Sequence, residues 1–380
     1  MESMTSFERI EAATRLAKPD RVPVVPLVDV FSSTYGGITQ HEMIFDIRKA
    51  DAALGRTIRD LGTIDGQHAS VAGTGRVMSL LFPVPSKLPG VDGVPPDAHW
   101  QFVEHPVVEP EEYQRIVEMG AGRWMLKNLW GNHAELRTIP GFLKASTALA
   151  ADGLLLRRSV KAWRRKGIET MIGPNLFFPP LEWIALTLRS FKDFILDIYR
   201  YPEEVKAACR AFVKPLASMA HLAVRLTGVG RVFIFGGRTS ASVLSPRQFE
   251  EFALPGLEEM CEYFVKRGIT PLLHFDSNWT PFFHFLKVLP ARKCILNLDG
   301  TSDIFQAKEV LGDHMCIMGD VPAVMMKLGD PEEVDEYCRR LITEIGSDGG
   351  FILSSGCTVP VDARPENVKA MLESVKKYKA

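Results

Sequence analysis

Three side chains close to the ends of two apolar runs carry the clearest chemistry in this 380-residue chain. His274 and Asp276 stand in Pro271-Leu272-Leu273-His274-Phe275-Asp276-Ser277-Asn278, and Cys357 stands in Leu353-Ser354-Ser355-Gly356-Cys357-Thr358-Val359-Pro360. Side chains alternate along a strand, so His274 and Asp276 share one face while Leu273 and Phe275 take the other. Imidazole, carboxylate and thiolate together make a three-ligand zinc site whose fourth tetrahedral position stays open for substrate, the catalytic rather than the structural arrangement. Singly, each residue has an ordinary use: a histidine oriented by a carboxylate, or a thiol buried as a small hydrophobe. Their shared position at strand ends favours the site, and Gly356 is read as leaving the thiol room to face an open mouth.

The elements that must position them are β-rich runs at 21–29, 65–71, 169–175, 231–237, 270–276, 294–300, 314–321 and 350–357, separated by stretches of helical spacing. Several are apolar almost throughout, as strands buried on both faces of a parallel sheet are. Eight βα units predict an α/β chain folded as a (β/α)8 TIM barrel, one domain over 1–380 with an N-terminal extension. Helix starts are marked by Ser245-Pro246, by Asp330-Pro331-Glu332-Glu333 and by Asp362-Ala363-Arg364-Pro365. After the second run about 100 residues intervene, far more than one crossover helix needs. This insertion, 72–168, opens with a Pro/Gly-rich loop and then shows helices near Pro110-Glu111-Glu112 and near 157–166. It is read as a lid or cap on the catalytic face.

In a barrel the chemistry lies at the carboxyl ends of the strands, and Asp29, Asn175, Arg238, His274, Asp276, Asp299, Asp320 and Cys357 all fall there. Cys294 and Cys316 lie nearer strand starts and are read as buried hydrophobes. Hydrophobic residues make up 46% of the chain, enough for a large core, and 45 basic against 46 acidic residues give a net charge of -1. Such a balance offers nucleic acid no electrostatic footing. No apolar run approaches the roughly 20 residues that a bilayer demands. The N-terminus lacks an apolar signal core, so a cytoplasmic location is expected. The six cysteines show no paired spacing, and disulfides are not expected. Gly73-Thr74-Gly75-Arg76-Val77-Met78 lacks the third glycine of a dinucleotide loop, which argues against nucleotide cofactors. The basic run at 157–166 reads as a solvated helix face, with docking of an acidic protein as the sharper alternative.

Asp20-Arg21-Val22-Pro23-Val24, Ile172-Gly173-Pro174-Asn175, Asp197-Ile198-Tyr199-Arg200-Tyr201-Pro202-Glu203, Leu244-Ser245-Pro246-Arg247-Gln248-Phe249, Met318-Gly319-Asp320-Val321-Pro322 and Pro365-Glu366-Asn367-Val368 follow one another in a familiar order. They resemble the uroporphyrinogen decarboxylase superfamily over nearly the whole chain apart from the insertion. Within it, true decarboxylases carry an arginine-rich N-terminal segment for a polycarboxylated tetrapyrrole. The matching stretch here, 26–36, has no arginine, and a polyanion would find no fork donors there. His274-x-Asp276 followed some eighty residues later by Gly356-Cys357 is similar instead to the zinc-dependent, cobalamin-linked methyltransferase branch, with aspartate replacing the middle cysteine.

That resemblance implies a zinc site of His274, Asp276 and Cys357. Either Asp276 binds through oxygen, or it orients His274 while Asp320 or Asp299, the candidate catalytic carboxylates, completes the shell. It also implies a corrinoid (cobalamin), carried by a separate partner protein: the chain's Asp97-Ala98-His99 has Phe102 where a corrinoid module has glycine. Homodimerisation is implied by the same analogy. Aspartate in place of cysteine leaves zinc more oxophilic, which favours O-demethylation over methylation of a thiol such as coenzyme M. Asp29, Tyr35, Asn175, Phe177, Trp183, Arg238 and Trp279 are the candidate substrate-binding residues, with Phe178 and Phe235 beside them, for a small methylated substrate such as a methoxylated aromatic compound. The core is the alternative place for each ring, and an ion pair the alternative for Arg238. A non-catalytic barrel that binds a tetrapyrrole or small aromatic ligand is the reading from another class.

Overall fold

The computed structural model describes residues 3–378 apart from 63, 69–71, 82–85, 92, 105, 130–133 and 174–175. Its strands, in chain order, are β1 (Gly66–His68), β2 (Ser86–Lys87), β3 (Gln101–Phe102), β4 (Glu169–Ile172), β5 (Leu176–Phe177), β6 (Arg231–Gly236), β7 (Thr270–Phe275), β8 (Ile295–Leu298), β9 (Cys316–Val321) and β10 (Phe351–Ser355). β5 to β10 form one parallel sheet in sequence order, and β1 pairs in parallel with β4. The segment 22–27 joins the two ends. The Val25 N–H donates to the Leu353 carbonyl (2.8 Å), the Leu353 N–H to that of Pro23 (2.9 Å), and the Asp65 N–H to that of Val24 (2.9 Å). Pro23 and Pro26 have no N–H to give, so this first run is a single bridge rather than a ladder. The (β/α)8 barrel expected from the eight runs is the fold.

Ile295, Cys316, Leu272 and Ile352 fill the interior with Phe233, Met318, Val25 and Leu27, and the helix Ser6–Thr14 closes the amino end by inserting Ile10 and Ala13 into that cluster. Thr5 and Glu8 form its capping box, which fixes where the plug begins. Outside the strands, a larger apolar layer packs the helices onto the barrel, as a two-sided parallel sheet requires. The three predicted helix starts are found: Ser245 and Asp330 make capping boxes with Gln248 and Glu333, and Pro365 opens the closing helix Pro365–Lys377.

Differences from expectation are local. Asp29 does not end a strand but opens the helix Asp29–Tyr35, in whose first turn a carboxylate is favoured by the helix dipole. Strand signal at 169–175 resolves into β4 and the short β5. The helix expected near 157–166 is the last part of a far longer one, Ile139–Arg165. By length and composition this helix could cross a membrane, and 6% of its most apolar window is buried inside the fold. Counting uninterrupted apolar runs overlooks it because Lys144 and Asp152 break the run while alanines sustain its mean hydropathy. The insertion also holds helices Gly75–Leu81, Glu112–Met119 and Ala121–Leu129, with β2 and β3 paired antiparallel. It reaches the carboxyl face through Glu104, which accepts from the Phe191 N–H and pairs with Arg238 just beyond β6 (3.2 Å).

Candidate metal centre

β7 places His274 inward, two residues above the core residue Leu272, and the chain leaves the strand at Asp276. The neighbouring strand puts Asn297 opposite His274, and its Oδ1 lies 2.6 Å from the imidazole Nδ1. An amide oxygen can only accept, so Nδ1 carries the proton and Nε2 presents its lone pair toward the mouth. There the ligand atoms of His274, Asp276 and Cys357 lie within 4.8 Å of one another. Nε2 is 3.1 Å from Asp276 Oδ1, near the spacing of two ligands on one tetrahedral zinc, yet misaligned for a hydrogen bond. Oδ1 is buried and makes no well-aligned hydrogen bond beyond this contact with the His274 ring, an arrangement that a further positive charge would complete. A divalent cation would do so, and nitrogen, oxygen and sulfur donors suit zinc; the residues fit the metal that the sequence implies.

Burial pushes His274 down, but the adjoining acceptors Asp276 and Cys357 outweigh it and hold the imidazole well above its ordinary value. Of the six cysteines, five are buried and Cys357 is half-buried. Gly356 is needed here for a different reason from the one its sequence context suggests. A Cβ at this position would meet the Asp299 carbonyl oxygen at 2.4 Å, so glycine lets the β10 end pass against the β8 end and brings Cys357 to the site.

Around this centre the other expected residues take varied places. Asp299 accepts from the Ser277 N–H (2.8 Å) and from the Thr301 N–H (2.8 Å), tying the loop after β7 to the loop after β8. Asp320 is buried and accepts from the Tyr337 hydroxyl (2.8 Å) of the outer helix Pro331–Arg340; burial pushes its carboxyl up to about 7 against that bond. Neither carboxylate belongs to the ligand cluster. Trp279 lies flat on Phe275 with ring centroids 3.9 Å apart and donates its indole N–H to the Asp276 carbonyl (2.8 Å), so it holds the ligand loop instead of lining a cavity. Arg238 donates to the Ala185 carbonyl (2.7 Å) as well as to Glu104, a structural ion pair at the rim. Trp183 and Phe178 are buried, Tyr35 stacks on Phe31 at 5.5 Å, and Asp29 is buried beside the Val30 N–H. Half-buried Phe177 packs on the outer core and Phe235 stands 6.1 Å from the His274 ring. Asn175 lies outside the described residues. His284 is exposed on the turn Thr280–Val288 and ligates nothing.

Sequence reasoning missed four residues. Asn297 sets the His274 tautomer. Glu182, fully buried and pushed up by that burial, accepts from the Arg238 N–H (2.9 Å) and the Thr239 hydroxyl (2.8 Å), fixing the loop after β6. Ser354 faces inward two residues beyond Ile352, and its buried Oγ has no partner. His68, at the end of β1, is 1% exposed with both ring nitrogens unpartnered, and its ring centre is 6.5 Å from that of His274. Burial pushes its imidazole well below the ordinary value, and the charge of His274 adds to this. A polar residue at the third place of a strand was the available signal for His68.

The chain is similar to several curated uroporphyrinogen decarboxylases. It is 27% identical to that of Pseudoalteromonas atlantica over 157 residues, 40% of this chain and 42% of the relative. With that of Chlorobium phaeovibrioides it shares 27% over 145 residues, 37% of this chain and 40% of the relative. With that of Coxiella burnetii the figures are 26% over 145 residues, 37% and 39%. The match therefore spans about two fifths of these relatives. Among solved structures, a methyltransferase from Methanosarcina mazei superposes with a TM-score of 0.70 at 17% identity, covering 99% of both chains, and so shares the fold. The family model for uroporphyrinogen decarboxylase (URO-D) matches residues 184–378, just over half of the chain and the stretch that holds β6 to β10 with all three candidate ligand residues. The chain belongs to the uroporphyrinogen decarboxylase (URO-D) family.

Proposed function

We propose that the protein is a cytoplasmic, zinc-dependent methyltransferase that moves a methyl group from a small methylated substrate, a methoxylated aromatic compound, to the corrinoid of a separate protein. The observation that carries this reading is the gathering of His274, Asp276 and Cys357 at the carboxyl end of the barrel, their ligand atoms within 4.8 Å of one another around a buried carboxylate oxygen with no well-aligned hydrogen bond. The fold likeness to a protein described as a methyltransferase supports it.

His274, Asp276 and Cys357 would hold zinc, which supplies Lewis acidity to a ligand at its open position. Asn297 keeps Nδ1 protonated and the ring in one orientation. Trp279 and Asp299 fix the backbone on either side of Asp276, through its own carbonyl and the N–H of Ser277. Half-buried Phe235 offers an aromatic wall beside His274. The insertion 72–168, anchored to Arg238 through Glu104, would act as a lid that keeps water from the mouth. The basic run at 157–166 lies at the other end: Arg164 pairs with Glu169, the first residue of β4 (3.0 Å). It is a solvated face and leaves the corrinoid protein to approach from the carboxyl side. Aspartate among the ligands favours oxygen over thiol activation.

Decarboxylation, the activity named for the curated relatives, is the second reading. Their similarity favours it, while the arginine-free stretch 26–36 lies in the half of the chain outside the family match and offers a tetrapyrrole's carboxylates no forked donor. Cys357→Ala decides. It is expected to drop bound zinc from near one per chain, read by mass spectrometry, to a small fraction, and to abolish methyl transfer from methoxylated aromatics to free cob(I)alamin. Full methyl transfer by the variant, or a wild-type protein that takes up no zinc, overturns the proposal.

A further inference from the structure

His68 stands outside the candidate metal centre but beside one of its members, its ring centre 6.5 Å from that of His274. Two imidazoles bound to one zinc, at Zn–N about 2.1 Å, have ring centres about 5 Å apart at a tetrahedral angle. The His68 and His274 rings are 6.5 Å apart, and His68 is absent from the cluster of ligand atoms, so it is not a further ligand. It is nevertheless built into the barrel, packed edge-on against Phe233 (5.1 Å), with neither ring nitrogen partnered by protein. A neutral imidazole has one N–H to donate and one lone pair to fill. A fully buried ring with both unused, its centre 6.5 Å from that of His274, is placed to meet a polar group of a molecule held at the centre.

We propose that His68 is a positioning residue that donates a hydrogen bond to the ether or phenolic oxygen of the substrate at the open position beside His274, Asp276 and Cys357. This rests on the methyltransferase reading and sharpens it: the site recognises oxygen, and His68 sets the direction from which that oxygen enters. Ser354, whose buried Oγ also has no hydrogen-bond partner on the inward face of β10, lies across the segment 22–27 from β1 and supplies a second polar contact.

The test compares the full-length zinc-loaded protein with His68→Leu and His68→Gln, using 2-methoxyphenol as the probe. Leucine fills similar volume without a donor, whereas glutamine restores an N–H. For His68→Leu the expected result is unchanged zinc per chain, a melting temperature equal to or above that of the wild type, and a Kd for 2-methoxyphenol raised at least tenfold by calorimetry. His68→Gln is expected to recover most of that loss, which a purely packing role would not allow. Wild-type affinity in His68→Leu, loss of its zinc, a lowered melting temperature, or no binding by the zinc-loaded wild type each overturns the role given to His68. If the wild type holds no zinc, the methyltransferase reading falls first; if it holds zinc and binds the probe while His68→Leu binds equally well, only the role of His68 falls.

Discussion

The two ends of the barrel bury polar side chains with opposite outcomes. At the amino end Asp65 is completely buried, and it accepts from Arg9 (2.6 Å), Arg21 (2.6 Å), the Ser6 hydroxyl (3.1 Å) and the Val24 N–H (2.9 Å). Arg9 in turn pairs with Asp20 (2.7 Å), and Arg231, at the start of β6, reaches Glu11 (2.9 Å). This network locks the helix Ser6–Thr14 into place as a plug. At the carboxyl end the Asp276 Oδ1, the Ser354 Oγ and both nitrogens of His68 are buried with no partner. Burial is common to both ends; satisfaction is not. An unmet buried polar atom costs about 1–3 kcal/mol, so several in one place are what a bound group on the proposed reading would satisfy. The amino end uses its charges on folding, and on the proposed reading the carboxyl end keeps its own for a bound group.

Breaking the saturated end should have the largest effect and leave the metal centre alone. Asp65→Ala strands Arg9 and Arg21 without their shared carboxylate. Removal of one partner from a buried ion pair costs about 3–5 kcal/mol. The denaturation midpoint is expected to fall accordingly, while zinc per folded chain stays at the wild-type value. Zinc loss without destabilisation would show that the two ends are not separable in this way. A smaller effect is expected at the open end from Asn297→Leu, which removes the acceptor for His274 Nδ1. Loss of a hydrogen bond that orients a metal-binding histidine weakens the metal about 10–100-fold. Competition with a chelator measures this directly, and unchanged affinity would mean that something other than Asn297 fixes the tautomer.

The clustering of His274, Asp276 and Cys357 is legible because the period-two alternation of a strand puts His274 and Asp276 on one side, and because Cys357 follows the last strand. Those are local facts, readable without knowing which strands are neighbours. Asn297 was not legible for the opposite reason: it acts only through the β7–β8 register that places it across from His274. In its run, Cys294-Ile295-Leu296-Asn297-Leu298-Asp299, the acid drew attention, and it is the amide that touches the imidazole. His68 sits in Asp65-Gly66-Gln67-His68, a run too polar to suggest a buried strand, and only the closed barrel brings it beside His274. For Trp279 and Trp183 the sequence leaves pocket and core both open, because an aromatic after a strand looks the same whether it faces a ligand or the helices; both are buried. The barrel itself was legible from its run spacing, whereas the length of Ile139–Arg165 was not, since its exposed alanine-rich face has no two-sided hydrophobic pattern.

Asp320 tests the comparison at its finest grain, because it is a buried carboxylate at the carboxyl end whose one side-chain hydrogen bond comes from the neutral Tyr337 hydroxyl, in contrast to the cationic pair around Asp65. With its carboxyl pushed up to about 7 from an ordinary 3.8, the folded protein binds a proton that the unfolded chain has already released between those values. Stability contributed by this group is therefore present below about pH 4 and is lost as pH rises toward 7. Asn at this position keeps an acceptor for Tyr337 and has no charge to bury. Asp320→Asn is expected to gain about 3 kcal/mol of stability relative to the wild type between pH 4.5 and pH 8, the other titrating groups cancelling in the difference. Thermal melts of both proteins across that range measure it. A difference independent of pH would place the Asp320 carboxylate, charged and stable, among the groups that the fold satisfies, and would move the boundary between the two ends of the barrel outward to the helix Pro331–Arg340.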